Sequence, residues 1–489
     1  MRANVIKNRV VILFLAFSLL HSGCSWMVEV EPPINKISSG NVYTSDATAI
    51  AVLTGIYATL SSENNTATVL TMGLLAGGLT TANALLGLAA DELTLNYEWN
   101  PLNAYCYRND YAAAAGMGWS SSYPIIFRAN AAIEGLRDNT VLTPAIRQQL
   151  LGEALFLRAW AYFYIVNLYG DLPLAVTTDY KANSQLFRSP EKEVWDLIIS
   201  DLKEAKSLMS STYLAGSLLS TTTDRVRPTK WAAAALLAKS YLYTKEWALA
   251  EQEASDVISN TTLFSLSSLS NAFLMAKSGN NEAIWQLQPI MGGTSGSNPG
   301  DATTFILTAS GPTTRSQPMY LSNRFMDVFE KDDLRKTNWT NFVTVGGVVY
   351  NYAYKYKARA TTTTSEHLMM FRLGEQYLIR AEARAQQNKL NEAAADLNAI
   401  RTRAGLGAAT ASSQTLLLDA IAKERRVELF TEGHRLFDLK RTGKLDEVMS
   451  VETPLKGGGT WQSEWQFFPI PTSEKEKNNN LTQNPGYVF

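Results

Sequence analysis

Apolar and alanine-rich residues recur at three- and four-residue spacing through most of this chain, and that period commits it to helices. The segments that carry it predict helices over Asp46–Leu60, Trp119–Arg137, Pro144–Leu168, Lys192–Met209, Thr229–Tyr243, Trp247–Ser259, Arg372–Gln387, Leu390–Ala404, Leu416–Thr431 and Arg435–Thr442. Strand-like alternation is confined to short pieces. The best are Ala283–Gln288 and Val343–Ala358, the latter with Tyr350, Tyr352, Tyr354 and Tyr356 on alternate positions, hence on one face. All-β and doubly wound α/β folds are excluded, and a mainly α fold with a few short strands is expected.

Two of the helix pairs share an internal spacing. Ala238 and Tyr241 are followed by Trp247, Ala250, Ala254 and Val257; Ala381 and Arg384 are followed by Leu390, Ala393, Leu397 and Ile400. Small residues at these places let two antiparallel helices approach closely while the bulkier ones fill the groove, which is the tetratricopeptide (TPR) pattern. The pairs lie far apart in the chain, so the expectation is a scaffold of TPR-like pairs with long insertions. The largest irregular regions are Asn260–Tyr320 and Asn338–Thr364, and ordered insertions of that size usually carry function.

A chain of 489 residues can bury a large core, and 46% apolar against 18% charged residues, with a mean hydropathy of -0.10, is the balance of a folded protein rather than of a disordered chain or a membrane-spanning bundle. Lys+Arg 44 against Asp+Glu 45 leaves a net charge of -1, which offers no basic face for nucleic acid. Three histidines, His21, His367 and His434, argue against an imidazole-rich metal site, and no metal is expected. With 11 Trp and 21 Tyr, the rings exceed what a helical core needs, so some are expected to face a ligand.

The first segment reads as an address. Arg2, Lys7 and Arg9 precede the apolar run Val10–Leu20, which is too short to span a bilayer and ends at His21-Ser22-Gly23-Cys24. Small Ser22 and Gly23 before Cys24 form a lipobox-like site, with His21 where a branched apolar residue is usual; Cys24 is expected to be diacylated after cleavage. The alternative is an ordinary signal peptide cut nearby with Cys24 left free. Ser25 lacks the Asp that signals inner-membrane retention in some bacteria, so an outer-membrane destination is expected. Cys106 is the only other cysteine, so an acylated Cys24 leaves no intramolecular disulfide. Pro32-Pro33 and the Ser/Asn-rich stretch to Ser45 read as a stalk.

Several segments together resemble the SusD/RagB family of surface nutrient-binding lipoproteins. They are Val52-Leu-Thr-Gly-Ile-Tyr57, Leu88-Ala-Ala-Asp-Glu92, Gly152-Glu-Ala-Leu-Phe-Leu-Arg-Ala159 and Leu168-Tyr-Gly-Asp-Leu-Pro-Leu174, then Asp333-Leu-Arg335, Arg372–Ala383 and Asn398–Ala404. The closing set is Glu424-Arg-Arg-Val-Glu428, Glu432-Gly-His-Arg435, Phe437-Asp-Leu439, Phe468-Pro-Ile-Pro471 and Gln483-Asn-Pro-Gly-Tyr487. The resemblance covers nearly the whole mature chain, in the family's order. It implies a SusD-like fold and a protein on the outer leaflet, facing the cell exterior. It implies an oligosaccharide ligand, with a peptide possible in some branches, and delivery to a SusC-like TonB-dependent transporter over which the protein forms a non-catalytic lid. Membrane contact would run through the N-terminal lipid alone, and no cofactor is implied. The matching organisation is a lipoprotein signal peptide (1–23), an N-terminal SusD-like region (24–220), a TPR-like pair with a ligand-side insertion (221–330) and a C-terminal SusD/RagB region (331–489), with 24–489 as one compact unit.

Glu424, Glu428 and Glu432 fall at i, i+4, i+8, interleaved with Arg425 and Arg426. Carboxylates so spaced could hold a cation or do acid/base chemistry, but alternating signs at helical spacing more often form ion-pair networks, and that reading is preferred here and at Glu153/Arg158 and Glu375/Arg380/Glu382. Gly405-Leu-Gly-Ala-Ala-Thr410 follows a helix instead of a strand and reads as a helix stop rather than a dinucleotide fingerprint. Gly293-Thr-Ser-Gly-Ser297 misses the nucleophile-elbow spacing and reads as a loop. No catalytic residue is expected.

The stretch Asn96–Tyr111 is different. Tyr97, Trp99, Tyr105, Tyr107 and Tyr111 are interspersed with Asn96, Asn100, Asn103, Arg108 and Asp110 without clean helical or strand period. Sugar rings present C–H faces and hydroxyl edges, which flat aromatics beside amides and charges can meet. The alternative is a loop whose rings pack on the helical body; the resemblance tips the reading toward ligand contact. The candidate binding residues are Tyr97, Trp99, Asn100, Asn103 and Tyr105, Trp99 and Asn100 foremost. A second wall is expected from the Asn260–Trp339 insertion or its flanks, with Tyr320 and Trp339 as exposed aromatics, whereas Trp285 is expected to be buried. Two competing classes are a TPR-like scaffold that binds only protein and a lipid-anchored glycosidase; the latter needs two carboxylates facing across a cleft, and the sequence offers none outside the helical charge networks.

Overall fold

The computed structural model describes residues 42–61, 79–114, 116–290, 298–315, 317–359, 361, 363–410 and 413–489. Cys24, the leader, most of the stalk and Gly293–Ser297 lie outside the described residues. About 52% of the described residues are helical. The longer helices are α1 (Asp46–Ser61), α2 (Leu79–Ala89), α3 (Pro101–Arg108), α4 (Trp119–Leu136), α5 (Pro144–Tyr169), α6 (Glu191–Leu208), α7 (Lys230–Tyr243), α8 (Trp247–Ile258), α9 (Leu373–Gln386), α10 (Leu390–Arg403), α11 (Gln414–Glu428), α12 (Arg435–Arg441) and α13 (Leu445–Leu455).

Helix α5 is the central rod. Pro144 starts it at a position whose N–H needs no partner, and Gly170, at φ 69°, ends it where a side chain would be strained. It is buried on almost every face because α4 and α6 flank it. From there the helices stack in sequence: α6 on α7, α7 on α8, α8 on α9, α9 on α10 and α11. The two TPR-like pairs, distant in the chain, are therefore neighbours in space. Ala238, Ala250, Ala254, Ala381 and Ala393 are fully buried at the close approaches. Glu251 of α8 takes Arg384 of α9 at 3.0 Å and Lys389 at 2.7 Å, fixing one pair against the other.

Among the described residues the strands form three antiparallel pairs: β1 (Leu93–Leu95) with β3 (Met319–Leu321), β2 (Ala283–Leu287) with β6 (Leu368–Arg372), and β4 (Thr340–Val345) with β5 (Val348–Ala353). The expected single strand over Val343–Ala358 is instead a hairpin. Gly346 and Gly347 both take positive φ, 58° and 82°, and form the two-residue turn between Val345 and Val348. Tyr354 and Tyr356 thus fall beyond the strand that holds Tyr350 and Tyr352. Strand β2 is buried throughout, and Trp285 at its centre meets Phe156 edge-on at 5.1 Å and Tyr57 at 6.2 Å, as expected of a core position. One hydrophobic cluster runs from Ala49 to Leu481, and a smaller one joins α9, α10 and α11.

Helix α11 stops at Glu428 because Thr431 takes a left-handed conformation at φ 57°, so Glu432 lies beyond the helix. The three carboxylates still converge. Arg335 reaches Glu424 at 2.6 Å and Glu428 at 3.0 Å; Arg372 reaches Glu432 at 2.8 Å and Glu282 at 3.0 Å; Arg403 reaches Glu282 at 2.6 Å and also pairs with Glu428. Burial alone would raise the Glu428 carboxyl, yet Arg403, Arg372 and Arg335 together hold it well below the ordinary range. The network fixes the C-terminal helices against the β2–β6 sheet, which is the structural role expected of these motifs. A second clamp spans the whole chain: Arg435 and Arg426 both hold Asp91, just after α2, at 2.8 Å.

Candidate functional site

The two stretches expected to form opposite walls are joined by the β1–β3 ladder, which pairs Leu93 with Leu321, Thr94 with Tyr320 and Leu95 with Met319. Leu93, Leu95, Met319 and Leu321 are buried, and the alternation of the pleat turns Thr94 and Tyr320 the other way. The hydroxyls of Tyr320 and Tyr107 both lie beside the Thr94 side chain, and partial burial raises both phenols. Tyr350, from the β4–β5 hairpin, meets Tyr320 edge-on at 5.1 Å and 87°. Below them opens a cleft of about 200 Å³ lined by Thr94, Tyr107, Tyr320, Arg324, Glu452 and Lys456.

Contrary to the irregular loop expected, residues Pro101–Arg108 form α3. Asn100 caps it, its side-chain oxygen accepting the Leu102 N–H at 2.9 Å; Pro101 occupies the first turn, and Asn109, left-handed at φ 59°, ends it. The Asn100 oxygen is thereby engaged within the chain. Asn103 and Tyr105 sit half-buried on this helix, and Tyr105 packs against the core. Tyr111 is withdrawn into the interior, stacked on Phe468 at 4.0 Å. Tyr97 is 39% exposed.

Trp99 is half-buried, and the Arg315 guanidinium lies 3.4 Å above its ring. The loops that carry the two residues are tied by backbone. Asn96 and Tyr97 donate N–H to the Pro318 carbonyl at 2.8 and 3.1 Å, and the Asn96 side-chain amide donates to the Pro312 carbonyl at 3.0 Å. Arg108 pairs with Glu98 beside them.

Trp339 is the correction among the expected site residues. It is fully buried, its indole N–H donates to the Leu269 carbonyl at 2.8 Å, and the cations of Lys355, Arg403 and Arg372 lie 5.0 to 5.8 Å from its ring. The reason is its place: it ends the short helix Leu334–Trp339 that starts at the Asp333-Leu-Arg335 motif, and Arg335 is drawn into the buried ion network. Its expected exposure and its place in the second wall do not hold. Tyr320 alone of that pair reaches the aromatic cluster.

Sequence reasoning missed Arg315, Thr94 and Tyr350 as members of this cluster. Only Tyr350 had a signal, in the alternating tyrosines; the contact of Arg315 with Trp99 exists solely through the ladder. Among the described residues no group of three or more His, Cys, Asp and Glu side chains is arranged to hold a metal ion, and no helix is long and apolar enough to cross a membrane.

Residues 322–487 match the model of the SusD family, and residues 53–242 match a model described as "Starch-binding associating with outer membrane". A SusD-like protein of Formosa agariphila is 27% identical over 97% of this chain and 99% of its own length. The starch-binding protein SusD of Bacteroides thetaiotaomicron is 34% identical over 24% of this chain and 21% of its own. Among solved structures, a SusD superfamily protein of Bacteroides vulgatus superposes with a TM-score of 0.75 at 22% identity, over 90% of this chain and 99% of that one. A laminarin-binding SusD-like protein superposes with a TM-score of 0.70, also at 22% identity, over 90% and 99%. These likenesses establish the fold.

Proposed function

The chain belongs to the SusD family, and from that premise we propose that it captures an oligosaccharide at the cell surface and delivers it to a SusC-like TonB-dependent transporter. What supports the ligand class is that one relative is named for starch and one structural neighbour for laminarin. What supports the site is a single juxtaposition: the Thr94–Tyr320 pairing sets Tyr107 and Tyr320 on one cleft, with Tyr350 packed on Tyr320 and the Trp99 segment tied beside it by the Asn96 and Tyr97 bonds to Pro318. Aromatic faces beside amide and charged groups suit the alternating C–H and hydroxyl surfaces of a sugar chain. Tyr97, Trp99, Asn103 and Tyr320 are the proposed contacts, with Tyr105 and Asn100 supporting the frame through α3.

The protein is proposed to act without bond cleavage. The carboxylates flanking the cleft, Glu452 and Asp91, are held by Arg324 at 2.6 Å and by Arg435 at 2.8 Å, so neither is placed as a free acid or base. Cys24 is the proposed lipid attachment on the outer membrane, with the globule facing outward.

Calorimetric titration of the protein against plant, host and microbial oligosaccharides tests this reading, with Trp99→Ala in parallel. Binding of one glycan class, lost in the variant with no products released, is the expected result. Silence across the glycans with binding of peptides, or affinity untouched by Trp99→Ala, overturns the ligand or the site respectively. Co-purification of a TonB-dependent barrel from outer membranes tests the partner, and its absence under mild detergent counts against delivery.

A further inference from the structure

The cations of the cleft and of the Trp99 segment beside it are matched, with one exception among the described residues. Arg108 pairs with Glu98, Arg324 with Glu452 at 2.6 Å, and Arg435 and Arg426 with Asp91 at 2.8 Å; Lys456 is buried and donates to the Leu88 carbonyl at 2.8 Å and to that of Ala90. Arg315 is exposed, and among the described residues no carboxylate lies within ion-pair reach of it and no acceptor takes its N–H groups. Its guanidinium rests instead on the face of Trp99 at 3.4 Å, the contact distance of stacked planar groups.

That placement is built rather than incidental. On one side the Asn96 and Tyr97 bonds to Pro312 and Pro318 fix the arginine's loop to the tryptophan's. On the other, buried Gln317 donates to the Thr303 carbonyl at 2.7 Å and its backbone N–H to the Thr314 hydroxyl at 3.1 Å, and Gly311 donates to the Thr308 carbonyl at 2.9 Å. A stacked guanidinium keeps the N–H groups along its edge available, in a fork that matches a carboxylate or a sulfate. A neutral sugar stacking on this face of Trp99 would have to displace the cation and would give it hydroxyl acceptors but no counter-charge. An acidic sugar can keep the stack and supply the missing anion, and a charge-assisted bidentate pair is stronger than a contact to a ring face.

Resting on the glycan reading above, we infer that the ligand of this site is an acidic oligosaccharide whose uronate carboxylate or sulfate ester pairs with Arg315 on the Trp99 platform.

The test is retardation of the protein in gels containing polysaccharides offered as acidic and neutralised pairs: homogalacturonan against its fully methyl-esterified form, glucuronoxylan against unsubstituted xylan, and dextran sulfate, which carries no uronate, against dextran. The expected result is retention by one acidic member and not by its neutralised partner, weakened about tenfold or more by Arg315→Ala, partly restored by Arg315→Lys, and falling as NaCl is raised. The uronate pairs and the sulfate pair separate the two sources of charge. Arg315 is exposed, so thermal melting of both variants is expected to match the parent. Trp99-dependent retention by a neutral polysaccharide that Arg315→Ala leaves equal or tighter overturns the charge inference while the glycan reading stands. Retention by none overturns both.

Discussion

Tyr320 stands directly opposite Thr94 on the β1–β3 ladder, and both its own hydroxyl and that of Tyr107 lie beside the Thr94 side chain. Two parts of the chain more than two hundred residues apart thus share one small polar hinge point, with aromatic rings on either side of it.

The two tryptophans offered as ligand contacts separate cleanly. Trp339→Ala removes a fully buried indole and its bond to Leu269, and a loss of about 3–5 kcal/mol in unfolding free energy is expected. Trp99→Ala removes a half-exposed ring held by Arg315, so it is expected to leave the melting temperature nearly unchanged while abolishing ligand binding. Denaturant titration and calorimetry on the same two variants check both halves.

The helical content, the TPR-like spacing and the charged motifs were legible because each is written in local period: Ala238 and Ala250, or Glu424 and Glu428, announce their roles by spacing alone. The candidate site was legible only as composition. Helix α3 was hidden because it is only 8 residues long, too short for a period to repeat; Asn100 and Pro101, a cap followed by a first-turn proline, were the signals available. Trp339 misled because its burial follows from the company of Arg335, whose charge is neutralised by Glu424 and Glu428 about ninety residues on. The contact of Arg315 with Trp99 has no local signature at all.

Breaking the buried network from one side should be costly. Glu428→Gln leaves Arg335, Arg372 and Arg403 short of a counter-charge, and a destabilisation of about 3–5 kcal/mol is expected. The carboxyl is held below its ordinary range in the folded state, so its contribution is fully present above about pH 4.5 and is lost as the pH falls below that value. Melting temperature measured from pH 6 downward should therefore drop less steeply in the variant than in the parent.

Glu92 carries the opposite sign. Burial, then the neighbouring Asp91 charge, raise its carboxyl to about 7, whereas Asp91 itself is held at about 2 by its arginines despite burial. A raised acid is neutral at no cost below its unfolded value of 4.5 and must be ionised at a penalty above about 7, so stability declines across that interval as pH rises. Glu92→Gln is expected to flatten the decline, and chemical denaturation at pH 4.5, 6 and 8 reads it.

Gly458 marks a backbone crossing under the site. A methyl there would sit 1.9 Å from the Arg108 carbonyl oxygen, a backbone atom at the end of α3. Gly458→Ala is expected to lower stability by about 1–3 kcal/mol and, by shifting α3, to weaken ligand binding more than the nearby Gly457→Ser, whose added atoms meet open space but whose backbone, at φ 76°, is strained. Comparing binding at equal folded fraction separates the two effects.

The clamp of Arg426 and Arg435 on Asp91 has a temporal consequence. The ribosome delivers Asp91 early and its two partners near the end, so the first wall of the cleft is synthesised long before the cations that hold it. Until those last helices arrive, the Asp91 carboxylate has neither arginine, and an incomplete chain can acquire neither the clamp nor the Glu452 and Lys456 side of the cleft. The proposed ligand cleft is thereby completed only when synthesis is.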